Sequence, residues 1–124
     1  LEKIQNLASL QGSRLHSMGF NVNFAPVVDI GFPRDQQKDC SLGDRAFGAD
    51  VETVIQRASA FMSGLESAEV FGCLKHFPGI GRVKADSHFH KVFSHLDQGL
   101  PWEETLEPFV RLSGKASMVM VSPA

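Results

Sequence analysis

The densest run of chemically capable side chains is Lys75-His76-Phe77-Pro78-Gly79-Ile80-Gly81-Arg82-Val83-Lys84-Ala85-Asp86-Ser87-His88. Asp86 and His88 are two apart, so an extended backbone points both side chains to one side. A carboxylate beside an imidazole fixes the tautomer and holds a proton on the ring, which suits general acid–base work near neutral pH. The same spacing also describes an ordinary turn closed by a surface hydrogen bond. Lys75 and His76 leave a strand end together, where an ammonium and an imidazole can bind sugar hydroxyls or oxyanions. Two further chemistries compete for these residues. His76, Asp86, His88 and His90 form a usable metal donor set, although no second ligand-rich motif accompanies them. Gly79 and Gly81 suggest a phosphate cradle, but GxxxxGK[ST] and a complete GxGxxG are both lacking.

A second candidate is Gly43-Asp44-Arg45-Ala46-Phe47-Gly48, where Arg45 can present a fixed fork to ligand oxygens or close a salt bridge with Asp44 or Asp50. Asp29, after Pro26-Val27-Val28, can orient a loop or touch a ligand, and a structural role is the simpler one. His16 and His95 have no partner pattern and receive no role.

The elements that must position these groups are legible as periodicities. Ile4, Leu7, Ala8, Gln11, Leu15 and Met18 have helical spacing, with Gly19 as a stop. Phe20, Val22 and Phe24 alternate with Asn21 and Asn23, and Ala25 to Val28 extends that strand. Residues 31–48 read as a long loop. Asp50 is a helix N-cap before Val51, Val54, Ile55, Ala58, Phe61, Met62 and Leu65, whose spacing makes one apolar face and marks them as core. Val70 to Leu74 is a short strand. Residues 75–100 read as a loop, unusually long for a compact domain unless it is functional. Pro101 and Pro108 suit helix first turns before Leu106, Phe109, Val110 and Leu112. Ser117 to Ser122 is a third strand, apolar throughout like a parallel strand covered on both faces. The order α-β-α-β-α-β predicts parallel βαβ units, with Asp29 and Lys75-His76 at strand C-terminal ends on one ligand-binding face. Three strands cannot close a barrel, which needs eight and about 250 residues. The chain is therefore a small open sheet or part of a larger barrel.

Composition narrows the function classes. The 124 residues are 43% apolar and 21% charged, with twelve basic against fourteen acidic side chains. That balance describes a compact chain and gives no electrostatic reason for a nucleic-acid partner. No apolar run approaches the roughly 18 residues of a membrane span, and the opening residues show no secretory pattern. Cys40 and Cys73 lack a CxxC spacing and read as reduced thiols, which points to the cytoplasm.

Several of these segments resemble one family. Leu15-His16-Ser17-Met18-Gly19-Phe20-Asn21-Val22-Asn23-Phe24-Ala25-Pro26-Val27-Val28-Asp29 is similar to the LxxxGxNxxFAPVxD stretch of family 3 glycoside hydrolases. Asp44-Arg45-Ala46-Phe47-Gly48 matches too, as do Lys75-His76-Phe77-Pro78-Gly79 and Asp86-Ser87-His88, most closely in the bacterial β-N-acetylhexosaminidase branch. The resemblance implies a partial (β/α)8 barrel of α/β class, with residues 1–124 a single, incomplete segment of the catalytic domain. It implies His88 as the general acid/base, Asp86 as its dyad partner, and Arg45, Lys75 and His76 as residues gripping the hydroxyls of a β-linked N-acetylglucosamine. Most glycosidases use two carboxylates; a histidine whose unperturbed pKa lies near working pH replaces one of them here.

The resemblance also sets expectations to be tested. No position matches the family's aspartate nucleophile, which follows the last strand seen here, so the segment alone is expected to be inactive. Ile80 stands where the family usually has a second histidine, Val92 where a proline commonly closes DSHxxxP, and Pro123 where the last strand usually has histidine. These departures fit a divergent subgroup with altered preference or a catalytically dead sugar-binding remnant; another family 3 β-glycosidase is a further alternative. No cofactor or metal is expected. The expected partners are a carbohydrate, drawn from cell-wall fragments, and the rest of the chain's own barrel, with neither nucleic acid nor membrane. With sheet edges and a helix face left bare, the segment alone is expected to be poorly soluble, oligomeric or partly ordered.

Overall fold

The computed structural model describes residues 1–36, 42–82 and 100–122. Helix α1 (Glu2–Ser17) is followed by strand β1 (Val22–Asn23), helix α2 (Val51–Glu66), strand β2 (Phe71–Phe77), helix α3 (Trp102–Leu112) and strand β3 (Met118–Val121), with short 3-10 turns at Arg34–Gln36 and Gly43–Arg45. The strands form a parallel sheet in the order β1-β2-β3. The predicted alternation of helices and parallel strands is therefore present.

Helix boundaries follow local chemistry. Asp50 caps α2 by accepting from the Thr53 N–H at 2.8 Å, and Gly19, at φ +88°, follows the end of α1 in a conformation that favours glycine. In α3 the acidic Glu103 and Glu104 occupy the first turn and Arg111 the last, complementing the helix dipole. Pro108 lies inside α3 and not in its first turn as predicted. Because Trp102 opens the helix, this proline removes one helical hydrogen bond, and its ring is buried beside Phe109 and Leu112.

The core lies between the sheet and helices α2 and α3, where Val28, Ile30, Val54, Ile55, Ala58, Met62, Leu74, Phe109 and Leu112 form one cluster. Helix α1 packs on α2 through small residues. A Cβ on Gly64 would overlap the Gln5 carbonyl oxygen and lie 2.7 Å from Ala8 Cβ and 2.9 Å from Ser9 N.

Three strand details differ from the sequence expectation. β1 is two residues long, because Pro26 has no N–H to give the ladder. The segment still runs beside β2, with Cys73 N–H donating to Ala25 O at 2.8 Å and Val28 N–H to Lys75 O at 2.8 Å. β2 continues three residues past Leu74 and takes in Lys75 and His76. In β3 half-buried Met118 and Met120 alternate with exposed Val119 and Val121. Among the described residues, the two faces of β3 are thus unequally covered, Met118 and Met120 lying on the more buried one.

Candidate functional site

The strands being parallel, the end of the β1 segment (Asp29), the end of β2 (His76 and Phe77) and the residues that follow each lie at one edge of the sheet. Ligands bind at that edge in folds of this kind. Asp29 is the buried charge at its centre, 1% exposed. Its Oδ2 accepts the His76 backbone N–H at 3.0 Å and lies 2.8 Å from His76 Nδ1, and its Oδ1 accepts the Ile80 N–H at 2.9 Å. A buried carboxylate demands such partners, because an unpaired one is heavily penalised. The His76 side chain is 16% exposed. The Lys75–His76 peptide bond is cis, as are Ala25–Pro26 and Phe77–Pro78.

The register between β2 and β3 shifts at this point. Lys75 pairs with Met120 and Phe77 with Val121, so His76 is passed over. Its N–H serves Asp29 in place of the ladder. Lys75 is half-buried, with its backbone bonded to Pro26 O at 3.2 Å and to Val28 N.

Two glycines let the following residues pack closely. A Cβ on Gly81 would overlap the Ile30 carbonyl oxygen and lie 2.6 Å from Ile30 C and 2.9 Å from Ile30 N. Gly79 has φ +129°, and a Cβ there would overlap Thr105 Cγ2 of α3. Phe77 meets Phe109 of α3 edge-on, with ring centroids 5.4 Å apart. Gly79 and Gly81 are therefore packing residues, and the N–H between them, that of Ile80, is already committed to Asp29. This answers the phosphate-cradle reading.

Arg45 sits on the 3-10 turn Gly43–Arg45, and its Nε donates to Leu42 O at 3.1 Å. Asp50, one of the two salt-bridge partners that the sequence suggested, is engaged as the α2 cap. Arg57 Nη1 donates to Phe47 O at 2.6 Å, and the Gly31 N–H reaches Gly48 O at 2.9 Å, tying residues 42–50 to α2 and to the end of the β1 segment. Arg82 Nη2 lies 3.5 Å from Ala49 O and its guanidinium stacks over Phe32 at 5.9 Å, so the segments following β1 and β2 are knitted together.

Asp86, His88 and His90 lie outside the described residues, as do Val92 and Pro123. The structure thus joins His76 to Asp29, a residue for which sequence reasoning preferred a structural role. They are 47 positions apart, and only their shared position at strand ends could have linked them. Cys73 is a buried thiol at the β2–β3 pairing; burial pushes its pKa up, opposed by the charge of Lys75. A thiol so placed is unreactive. Among the described residues no group of three or more metal-ligating side chains comes together.

Known proteins share this architecture. The β-hexosaminidase of Actinobacillus succinogenes is 35% identical over 113 residues, 90% of this chain and 31% of that protein. The crystal structure of β-N-acetylhexosaminidase from Beutenbergia cavernae superposes with TM-score 0.81 at 29% identity, covering 100% of this chain and 38% of that one. NagZ from Neisseria gonorrhoeae, solved in complex with N-trifluoroacetyl-D-glucosamine, superposes at 0.78 with 28% identity over 96% of this chain and 34% of that one, and it has also been solved with a zinc ion. The chain spans about a third of the length of these relatives, and its parallel strands and helices are a partial (β/α)8 barrel. The glycosyl hydrolase family 3 N-terminal domain matches residues 1–124 from end to end, so the chain belongs to family 3 of the glycosyl hydrolases.

Proposed function

We propose that the protein carrying this segment is a retaining β-N-acetylhexosaminidase that removes terminal β-linked N-acetylglucosamine, with cell-wall fragments in the cytoplasm as its substrate source. The observation that carries the reading is the pairing of His76 with buried Asp29 beside Lys75 at the ligand-binding edge of the sheet. Relatives named β-hexosaminidase, and NagZ solved with an N-acylated glucosamine, support the sugar class. The sequence pattern of Cys40 and Cys73, which lacks a CxxC spacing, supports the compartment.

In this reading Lys75, His76 and Arg45 grip the hydroxyls of the terminal N-acetylglucosamine in the −1 subsite, on the non-leaving side of the scissile bond. His88, held by Asp86, protonates the leaving oxygen and then deprotonates the attacking water. The aspartate nucleophile, which has no counterpart among these 124 residues, forms and releases the covalent glycosyl intermediate. Residues 1–124 are one segment of that barrel and need the rest of it for turnover.

The test is release of phenol from aryl N-acetyl-β-glucosaminide and aryl β-glucoside by the whole protein. Turnover of the first, with kcat lowered about 10²- to 10⁴-fold by His88→Ala, is expected; preference for the plain glucoside would move the reading to another family 3 β-glycosidase. Binding of N-acetylglucosamine without turnover would identify the sugar-binding remnant. The zinc complex of NagZ favours one further arm, a metal held by His76, Asp86, His88 and His90. Stoichiometric zinc required for activity would establish that metal-dependent reading in place of ours.

A further inference from the structure

We propose that Asp29 is a positioning residue for the sugar-binding imidazole: it holds the ring proton of His76 on Nδ1 and so turns Nε2 toward a sugar hydroxyl. The inference rests on the sugar reading of this site and assigns a role to a residue outside the family motifs read as catalytic or binding.

Three contacts carry it. Asp29 Oδ2 accepts the His76 backbone N–H at 3.0 Å, so this oxygen faces a donor that cannot be anything else. The same oxygen lies 2.8 Å from Nδ1. Oδ1 accepts the Ile80 N–H at 2.9 Å. With two fixed backbone donors on its two oxygens and no solvent exposure of its side chain, Asp29 acts as an acceptor throughout. The hydrogen between Asp29 and His76 therefore resides on Nδ1. Nε2, on the far edge of the ring, is left to accept from a hydroxyl when the imidazole is neutral. Free histidine side chains favour the opposite, Nε2–H tautomer, so the enforced form has a distinct signature. Because one carboxylate holds both the backbone and the ring of His76, it fixes the position of that imidazole as well as its protonated nitrogen.

The experiment is long-range ¹H–¹⁵N NMR of His76 in the whole protein that carries these residues, with and without N-acetylglucosamine, for the wild type, Asp29→Asn and His76→Asn. The wild type is expected to show the Nδ1–H tautomer, with Nε2 perturbed by the sugar. Asp29→Asn, whose amide sets a donor against either the Ile80 N–H or His76, is expected to shift the ring toward Nε2–H and weaken sugar binding about tenfold, the loss of one good hydrogen bond. His76→Asn retains a donor toward Asp29 but lacks Nε2, and should keep the fold while losing the same binding. An Nε2–H tautomer in the wild type, which requires no variant to fold, overturns the inference; so does a folded Asp29→Asn chain with the Nδ1–H form unchanged. An Asp29-dependent Nδ1–H tautomer that the sugar leaves untouched would uphold the positioning role and refute the sugar reading instead.

Discussion

Replacing Gly81 with alanine tests whether the segment after β2 must lie directly on the β1 end for the site to exist. The new Cβ would sit 2.6 Å from Ile30 C, where ordinary contact begins at 3.4 Å, so the two backbones must separate by at least 0.8 Å. The obstacle is main chain, which cannot rotate away as a side-chain end would. Ile80 N–H and Asp29 Oδ1, now 2.9 Å apart, flank that contact; adding 0.8 Å brings them to 3.7 Å, beyond hydrogen-bonding range. The variant thus loses a buried bond costing about 1–3 kcal/mol and adds overpacking strain of about 1–3 kcal/mol. The two together give a destabilisation of about 2–6 kcal/mol, a large part of a domain's usual 5–15 kcal/mol.

The assays are urea denaturation and kcat/KM, both of the whole protein, where a displacement approaching 1 Å near bound substrate costs on the order of 10²-fold. Gly114→Ala is the matched control, because nothing lies within 4 Å of its added Cβ. If Gly81→Ala shifted stability by less than about 0.5 kcal/mol, the range of an ordinary surface change, and left the kinetics alone, the close approach would be irrelevant and the reasoning refuted.

Other positions give independent tests. Gly64→Ala gains helix propensity of roughly 1 kcal/mol but drives a methyl into the Gln5 carbonyl and Ala8; a net loss of about 1–2 kcal/mol is expected in urea, and stabilisation would contradict the packing of α1 on α2. Asp50→Ala removes the α2 cap and should cost about 1 kcal/mol, whereas Asp50→Asn should cost little at neutral pH. The Thr53 backbone bond holds the Asp50 carboxyl below its ordinary value of 3.8, so its charge-dependent stabilisation is full above that value and is lost as pH falls through the lower folded value. Asp50→Asn should therefore flatten the acid limb of stability measured against pH. Leu74→Ala, at a fully buried position between the helices and the sheet, should cost about 2–5 kcal/mol by the same measurement.

Much of the fold was legible because its causes are local. Apolar spacing placed α1 and α2, Asp50 announced the start of α2, and alternation of helix and strand predicted the parallel sheet. What was misjudged depended on contacts distant in sequence. The extension of β2 through Lys75 and His76 depends on Val28, Asp29 and β3, none of which local periodicity can see. Pro108 was placed by its habit of opening helices, but burial beside Phe109 and Leu112 outweighed the lost bond. Gly79 and Gly81 carried a weak phosphate pattern, and their actual constraint is steric, set by Thr105 and Ile30. Arg45, Lys75 and His76 were singled out from type and spacing, while Asp29 was visible only as one more strand-end aspartate.

The irregularity in β2 connects fold to chemistry. A regular parallel strand would send the His76 N–H to a neighbouring strand and project successive side chains to alternate faces. Here that N–H turns to Asp29, the register with β3 skips a residue, and the imidazole comes to rest against the same carboxylate. Such breaks commonly re-aim a side chain next to a functional site, and they occur where local rules yield to function. The sheet gives up one ladder bond, and a buried charge-assisted bond replaces it. Stability and site geometry therefore depend on the same carboxylate. A substitution that restored regular β2–β3 pairing, however stabilising to the sheet, would have to release His76 and with it the geometry on which the proposed sugar site rests.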